Sequence, residues 1–347
     1  MRKILAIDAG GTSSRAVLLD RSGACAGFGR AGGGNPTAVG VAAAVDALAL
    51  AAERALGGQA SPSEDDSLVV IALAGGATPP FLVVLEERLA VLGLGGRTII
   101  EPDLLGTFCS GTALTDGYAV IAGTGAIAAR VVDGQLHTVK GGSGWLLGDT
   151  GSGFWIGQQV ARAVVASLDG LGPPTALTQL LLEATGIERT DARSRGRSDE
   201  LSRLVCELYA LRPVELARFA PLAFAAADTA STTAQPDAVA CDILDAAAAG
   251  IGRVLAAALE PEVGSTITPG VIVLGGSVLA AGLARVPAIF THRLQAAVGD
   301  AQLIPVEDGI VGAAVLAFRH LGIEVDDAVH RRLTAEIDRA RATAVVA

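Results

Sequence analysis

Asp8, Gly10, Gly11, Thr12 and Ser13 stand together in Ile4-Leu-Ala-Ile-Asp-Ala-Gly-Gly-Thr-Ser-Ser-Arg-Ala-Val-Leu-Leu-Asp20, where an apolar run ends on an acid and a glycine pair and a second apolar run begins at once. The chemistry open to such a set is the holding of a polyphosphate. Two glycines let an anion approach the backbone amides, Thr12 and Ser13 add hydroxyl and amide donors, and Asp8 is placed to hold a hydrated Mg²⁺. A strand follows the glycines where a dinucleotide fingerprint has a helix, and the Gly-Lys-Ser/Thr of a P-loop is absent. Taken alone, the segment also suits a plain Gly-Gly hairpin.

The same grammar returns at Ala119-Val-Ile-Ala-Gly-Thr-Gly-Ala-Ile-Ala-Ala-Arg-Val-Val-Asp133, with Gly123, Thr124 and Gly125 at the turn. Two phosphate hairpins in one chain imply duplicated halves. A third glycine turn, Gly275-Gly276, follows the apolar run Val271-Ile-Val-Leu274 and could pass under an adenine ring where side chains would obstruct it.

Two acids complete the set. Asp103 follows the strand-like Thr98-Ile-Ile100 and precedes a helix, at the carboxyl edge of a sheet, where a carboxylate can take a proton from an attacking hydroxyl. The same position also suits a helix cap. Asp149 lies in Gly141-Gly-Ser-Gly-Trp-Leu-Leu-Gly-Asp-Thr-Gly-Ser-Gly-Phe-Trp155, just ahead of a helix start, where a carboxylate can orient a substrate by accepting two of its hydroxyls or can cap the helix.

In their order and spacing these segments resemble the actin-like, sugar-kinase and Hsp70 ATPase superfamily, and within it the N-acetylglucosamine kinase and BadF/BadG/BcrA/BcrD ATPase family. Gly32-Gly-Gly-Asn-Pro36, Glu101-Pro-Asp103, Gly123-Thr-Gly125 and the Gly-Trp block of 141–155 carry the resemblance, which spans roughly residues 1 to 320. It implies an α/β fold of two actin-like (ribonuclease H-like) lobes with a nucleotide cleft between them. It implies ATP-dependent phosphorylation of an amino sugar, N-acetylglucosamine at its 6-hydroxyl, with Mg²⁺, and Asp103 as base. By the same resemblance Asn35, Gly144, Trp145 and Asp149 contact the sugar, Thr124 meets phosphate or the sugar, and the three glycine turns hold the nucleotide. Trp145 could equally be a core residue, and Gly32–Gly34 could close as a lid. Asp308, opening a small-residue helix, is expected to be structural. The family's Asn before the base is Pro102 here, and its Glu after the second acid is Thr150. Glucosamine kinase and an ATPase that energises a partner protein are the alternatives. Family members are often dimers, so a homodimer is expected.

Composition narrows the setting. The net charge of −10 argues against nucleic acid or an anionic membrane as partner, because either needs a basic face. The apolar stretches are broken by Gly, Pro or charge, and Met1-Arg-Lys runs straight into the first strand, which reads as a cytoplasmic protein. Cys25, Cys109, Cys206 and Cys241 are far apart, which disfavours the iron–sulfur branch of the superfamily.

Positioning these groups requires strands near 3–8, 14–20, 68–74 and 98–100, a helix over 37–56 and another at 79–91, then a helix from 103 to 113 leading to strands 118–123 and 126–133. A long helix is expected at 153–169 and mostly helical structure over 175–260, interrupted at Gly172-Pro-Pro174, Pro213 and Pro236. The arginine-dense 189–203 reads as a solvated helix start. The lobes are expected at 1–112 and 113–322, with a helical insertion over about 170–260. A last helix within 323–347 should pack back on the first lobe.

Overall fold

The computed structural model describes residues 3–58, 67–228, 235–260 and 270–346. Ser61-Pro-Ser-Glu-Asp-Asp-Ser67, whose composition is that of a polar surface loop, lies, but for Ser67, outside the described residues. The first half runs β1 (Lys3–Ala9), β2 (Ser14–Leu19), β3 (Cys25–Ala31), α1 (Pro36–Val39), α2 (Val41–Leu56), β4 (Ser67–Leu73), α3 (Pro79–Val91), β5 (Arg97–Pro102) and α4 (Asp103–Gly111). The second opens with β6 (Gly117–Ala122), β7 (Ala126–Val132), β8 (Gln135–Gly141), α5 (Gly144–Leu147) and α6 (Gly153–Leu168).

A mostly helical insertion follows, made of α7 (Leu177–Thr185), the ribbon β9 (Arg193–Ser194) with β10 (Arg197–Ser198), α8 (Asp199–Ala210), a 3₁₀ helix (Pro213–Phe219), α9 (Ala220–Ala227) and α10 (Ala238–Leu259). The chain then completes its second sheet with β11 (Val271–Gly275), α11 (Ser277–Arg285), α12 (Pro287–Val298), β12 (Gln302–Pro305) and α13 (Ile310–His320), and ends in α14 (Asp327–Val346).

The two five-stranded sheets have the orders β3-β2-β1-β4-β5 and β8-β7-β6-β11-β12, each an antiparallel meander extended by two parallel strands. The duplication implied by the two hairpins is therefore complete in topology, and the fold is the expected α/β pair of lobes. β1 and β4 are buried almost throughout, as central strands covered on both faces must be, and both read as unbroken apolar runs. β8, at an edge, alternates exposed and half-buried positions over most of its length.

The lobes are joined by exchange. α4, which follows the first sheet, packs on β6 and β11 of the second, and α13, which follows the second, packs on β1 and β4 of the first. Their crossing is so close that a Cβ on Gly312 would stand 1.7 Å from the carbonyl oxygen of Gly106. One core, with Ile4, Val70, Phe108, Val131, Val273 and Phe318, is thereby shared by both sheets. α14 lies against β3.

Three local readings differ from the structure. Gly40 divides the helix expected over 37–56 into α1 and α2. β3 fills the third place of the expected βββαβαβ order, whereas β8, with Gln135, His137 and Lys140 exposed, has too few apolar positions to announce itself. The arginine-dense segment forms a ribbon ahead of α8, turning at Arg195 and Gly196, both with positive φ.

Candidate active site

The first hairpin turn is closed by the Gly10 N–H donating to Ser13 O at 3.0 Å. Gly34 and Asn35 donate their N–H groups to Gly10 O at 3.0 and 3.2 Å. A Cβ on Gly33 would lie 2.3 Å from Gly11 O. The Gly32–Gly34 stretch is thus a strap bound to the hairpin and not a free lid. Asn35 caps α1, its Oδ1 accepting from Thr37 N and Ala38 N at 2.8 and 3.3 Å. The side-chain amide lies beside Gly75, just past the end of β4.

On the second hairpin Gly123 N–H donates to Gly125 O, and Gly123 O accepts from Gly153 N–H at 2.6 Å, which seats the start of α6 against the turn. Asp149 is buried with a φ of 59°. Its Oδ2 would be 2.9 Å from a Cβ on Gly125, and its Oδ1 is buried without a hydrogen-bond partner. Burial raises its pKa, opposed by the nearby amides of Ala126 and Gly144. Trp145 packs on Phe154 with ring centroids 5.7 Å apart and stays 42% exposed. It is therefore a half-open ring and not a core residue.

Asp8 lies at the root of the first hairpin. Its Oδ2 receives Arg15 Nη1 at 3.3 Å and the Gly309 N–H at 3.2 Å. Arg15 Nε and Arg341 Nη2 each reach Asp308 Oδ2 at 2.9 Å, and Arg341 also pairs with Glu307. Asp308 is thus the joint between the hairpin and the C-terminal helix. Burial, with repulsion from Asp308, pushes the Asp8 carboxyl well above the usual range, and Asp103 adds to the repulsion. Asp103 is the first residue of α4, the cap position being Pro102, and its Oδ1 accepts the Leu104 N–H at 2.9 Å. Burial drives its pKa up to about 6.

Between the lobes is a cleft of about 490 Å³. Gly11 and Thr12 line it from the first lobe, Gly123 and Thr124 from the second. The third glycine turn contributes Ser277 and Val278; Gly275 and Gly276 face inward, toward Thr107 and the backbone of Ala122. Gly10, Ser13 and Gly125 shape the turns without lining the cleft. Arg212, Glu215, Arg218, Pro221, Phe224 and Arg285, which stand in none of the glycine or acid motifs, line the cleft from the insertion and α11. Arg212-Pro-Val-Glu215 had the one legible sign, a polar residue three before a Glu at a helix start; the Arg212 N–H does donate to Glu215 Oε2 at 2.8 Å.

The profile of the BadF/BadG/BcrA/BcrD ATPase family matches residues 5–317. An N-acetyl-D-glucosamine kinase from Dictyostelium discoideum is 38% identical over 103 residues, 29% of this chain and 32% of that protein. A glucosamine kinase, GspK, from Vibrio cholerae is 29% identical over 187 residues, 52% of this chain and 61% of that protein. The matched segments therefore span less than two thirds of these curated relatives. A solved structure from Chromobacterium violaceum, described as a candidate N-acetylglucosamine kinase, superposes with a TM-score of 0.68 at 23% identity, covering 91% of this chain and 99% of that one, and so shares its fold.

Proposed function

The chain belongs to the BadF/BadG/BcrA/BcrD ATPase family, and from that premise we propose that it is an ATP-dependent amino-sugar kinase, acting on the 6-hydroxyl of N-acetylglucosamine. The observation that carries this is the meeting of Gly11–Thr12 of the first hairpin and Gly123–Thr124 of the second across one cleft.

Phosphoryl transfer asks the protein to hold the triphosphate, align an acceptor and remove its proton. The two hairpins offer backbone amides and threonine hydroxyls to the phosphates, while Val278, Ala281, Pro221 and Phe224 form an apolar wall for the base. Asn35 Nδ2 and the unpartnered Asp149 Oδ1 orient sugar hydroxyls, and Trp145 presents a ring to the pyranose face. Asp103 takes the proton. A carboxyl with a pKa of about 6 is ionised at neutral pH yet far more basic than a solvated aspartate.

Among the described residues no group of three or more His, Cys, Asp or Glu side chains could enclose an ion. Mg²⁺ takes water and phosphate oxygens as most of its ligands, so a single protein carboxylate suffices for it. Asp8 would hold it, since both Asp8 hydrogen bonds arrive at Oδ2 and leave Oδ1 available. When bound, the ion neutralises phosphate charge. No helix among the described residues is long and apolar enough to cross a membrane. A cytoplasmic homodimer belongs to the same reading.

The test is ADP release from ATP and Mg²⁺ over N-acetylglucosamine, glucosamine, N-acetylmannosamine, glucose and no sugar, with Asp103→Asn in parallel. Turnover dependent on N-acetylglucosamine and lost in Asp103→Asn is expected. The 187-residue match to a glucosamine kinase favours glucosamine as the second reading, and preference for the free amine would select it. Turnover indifferent to sugar would replace both with a partner-driven ATPase.

A further inference from the structure

Neither hairpin turn carries a cation: 10–13 is Gly-Gly-Thr-Ser and 123–125 is Gly-Thr-Gly. Arg15, just beyond the first turn, is committed to Asp8 and Asp308. A triphosphate nevertheless brings several negative charges into the cleft. The basic residues lining it are Arg212, Arg218 and Arg285, and their situations differ. Arg285 ends α11 with its Nε 2.9 Å from Asp228 Oδ2. Arg218 lies over the ring of Phe219, 5.1 Å from its centroid.

Arg212 instead reaches across to the opposite lobe, where its Nη1 is 3.5 Å from the carbonyl oxygen of Ala38. Two packing relations place it at the phosphate end. Ala38 and Val39 line the cleft beside the first hairpin, because Gly33 lies between Gly11 O and Val39 Cγ1, at 2.3 and 3.2 Å from a Cβ built on it. The 3₁₀ helix that begins directly after Arg212 is pressed on α6, where a Cβ on Gly157 would be 1.9 Å from Leu216 O. α6 in turn starts at Gly153, bonded to Gly123 O of the second hairpin. Arg212 therefore stands between the two turns.

We infer that Arg212 binds the terminal phosphates of the nucleotide, supplying from the helical insertion the cation that both hairpins lack. The assignment rests on the kinase reading for the identity of the ligand. Its present contacts are weak: 3.5 Å to Ala38 O and 3.4 Å from Nε to Glu215 Oε2, on a side chain 62% exposed. A phosphate offers the planar guanidinium shorter, charge-assisted hydrogen bonds, so the group gains by leaving the Ala38 carbonyl.

The test is calorimetric titration of the full chain with ATP, ADP and adenosine in Mg²⁺ and without sugar, for wild type, Arg212→Gln and Arg212→Lys, with melting curves for each. Arg212→Gln should weaken ATP by about tenfold or more, the scale of one lost charged hydrogen bond, and leave adenosine unchanged. Arg212→Lys should recover part of the loss, since it restores charge without the fork. ATP affinity equal to wild type in a folded Arg212→Gln protein would overturn the assignment, as would an equal loss for adenosine. Should Arg212→Gln melt early, the Lys variant decides: ATP affinity below wild type with adenosine unchanged counts for the assignment, whereas ATP affinity equal to wild type, or an equal loss of adenosine binding, counts against it. A wild-type protein that binds no nucleotide overturns the kinase reading itself, whereas normal wild-type binding with an inert Arg212 overturns only this inference.

Discussion

Gly11 of the first hairpin and Thr124 of the second face each other so closely that a Cβ on Gly11 would stand 3.1 Å from Thr124 Oγ1. The threonine can give by a few tenths of an ångström, so folding is not what the glycine protects. On the proposed kinase function, the added methyl would narrow the gap through which phosphate would reach both turns. Gly11→Ala should raise KM for ATP by about tenfold, the scale of one weakened hydrogen bond to a charged group, with little change in melting temperature. Steady-state kinetics with varied ATP, beside a thermal melt, checks this.

Asp103→Asn should lower kcat by about 10²–10⁴-fold, the usual range for a lost general base. The same change should stabilise the fold at neutral pH. Burial raises the folded-state pKa of Asp103 from 3.8 to about 6, so its stability contribution is present below the unfolded value and lost as pH rises through the folded one. Removing the acid should therefore gain about 3 kcal/mol above pH ~6 and little below pH ~4, readable from denaturant melts at both pH values. Wild-type kcat should fall on the acid side, over the range in which this carboxyl takes up its proton.

Asp149 combines a left-handed backbone with a buried, unpartnered carboxylate oxygen. Asn tolerates that backbone, so Asp149→Asn should fold normally and raise KM for the sugar while leaving KM for ATP unchanged. Asp149→Leu should in addition lose about 1–2 kcal/mol of stability. Circular dichroism melts and sugar-dependent kinetics separate the two effects.

At the α4–α13 crossing there is no room for a methyl group. Gly312→Ala would push Cβ to within 1.7 Å of Gly106 O, against backbone that cannot rotate away. A loss of about 3 kcal/mol or more, or failure to fold, is expected. Gly32→Ala is the control, because nothing lies within 4 Å of its Cβ position and its melt should match wild type.

Much of the site was written locally. A glycine turn between two apolar runs states a strand hairpin, and its recurrence at 123–125 states duplication, which the identical sheet orders display. The place of Asp103 at the start of α4, just after a strand, was legible because it is set by neighbours in the chain. What escaped were groups whose meaning depends on residues far away. Arg212 reads as an ordinary charged residue in an insertion until folding brings it across the cleft to Ala38, 174 positions distant.

The sequence by itself determined where the strands turn, because turn geometry and apolar periodicity are properties of a few adjacent residues. Tertiary structure alone decided that α4 and α13 exchange sheets, that Asp308 joins Arg15 to Arg341, and that Gly32–Gly34 is strapped to the hairpin. Each of these is a close approach between segments remote in the chain. Such approaches depend on volume, charge and backbone direction summed over the whole packed molecule, and no local window of sequence contains them.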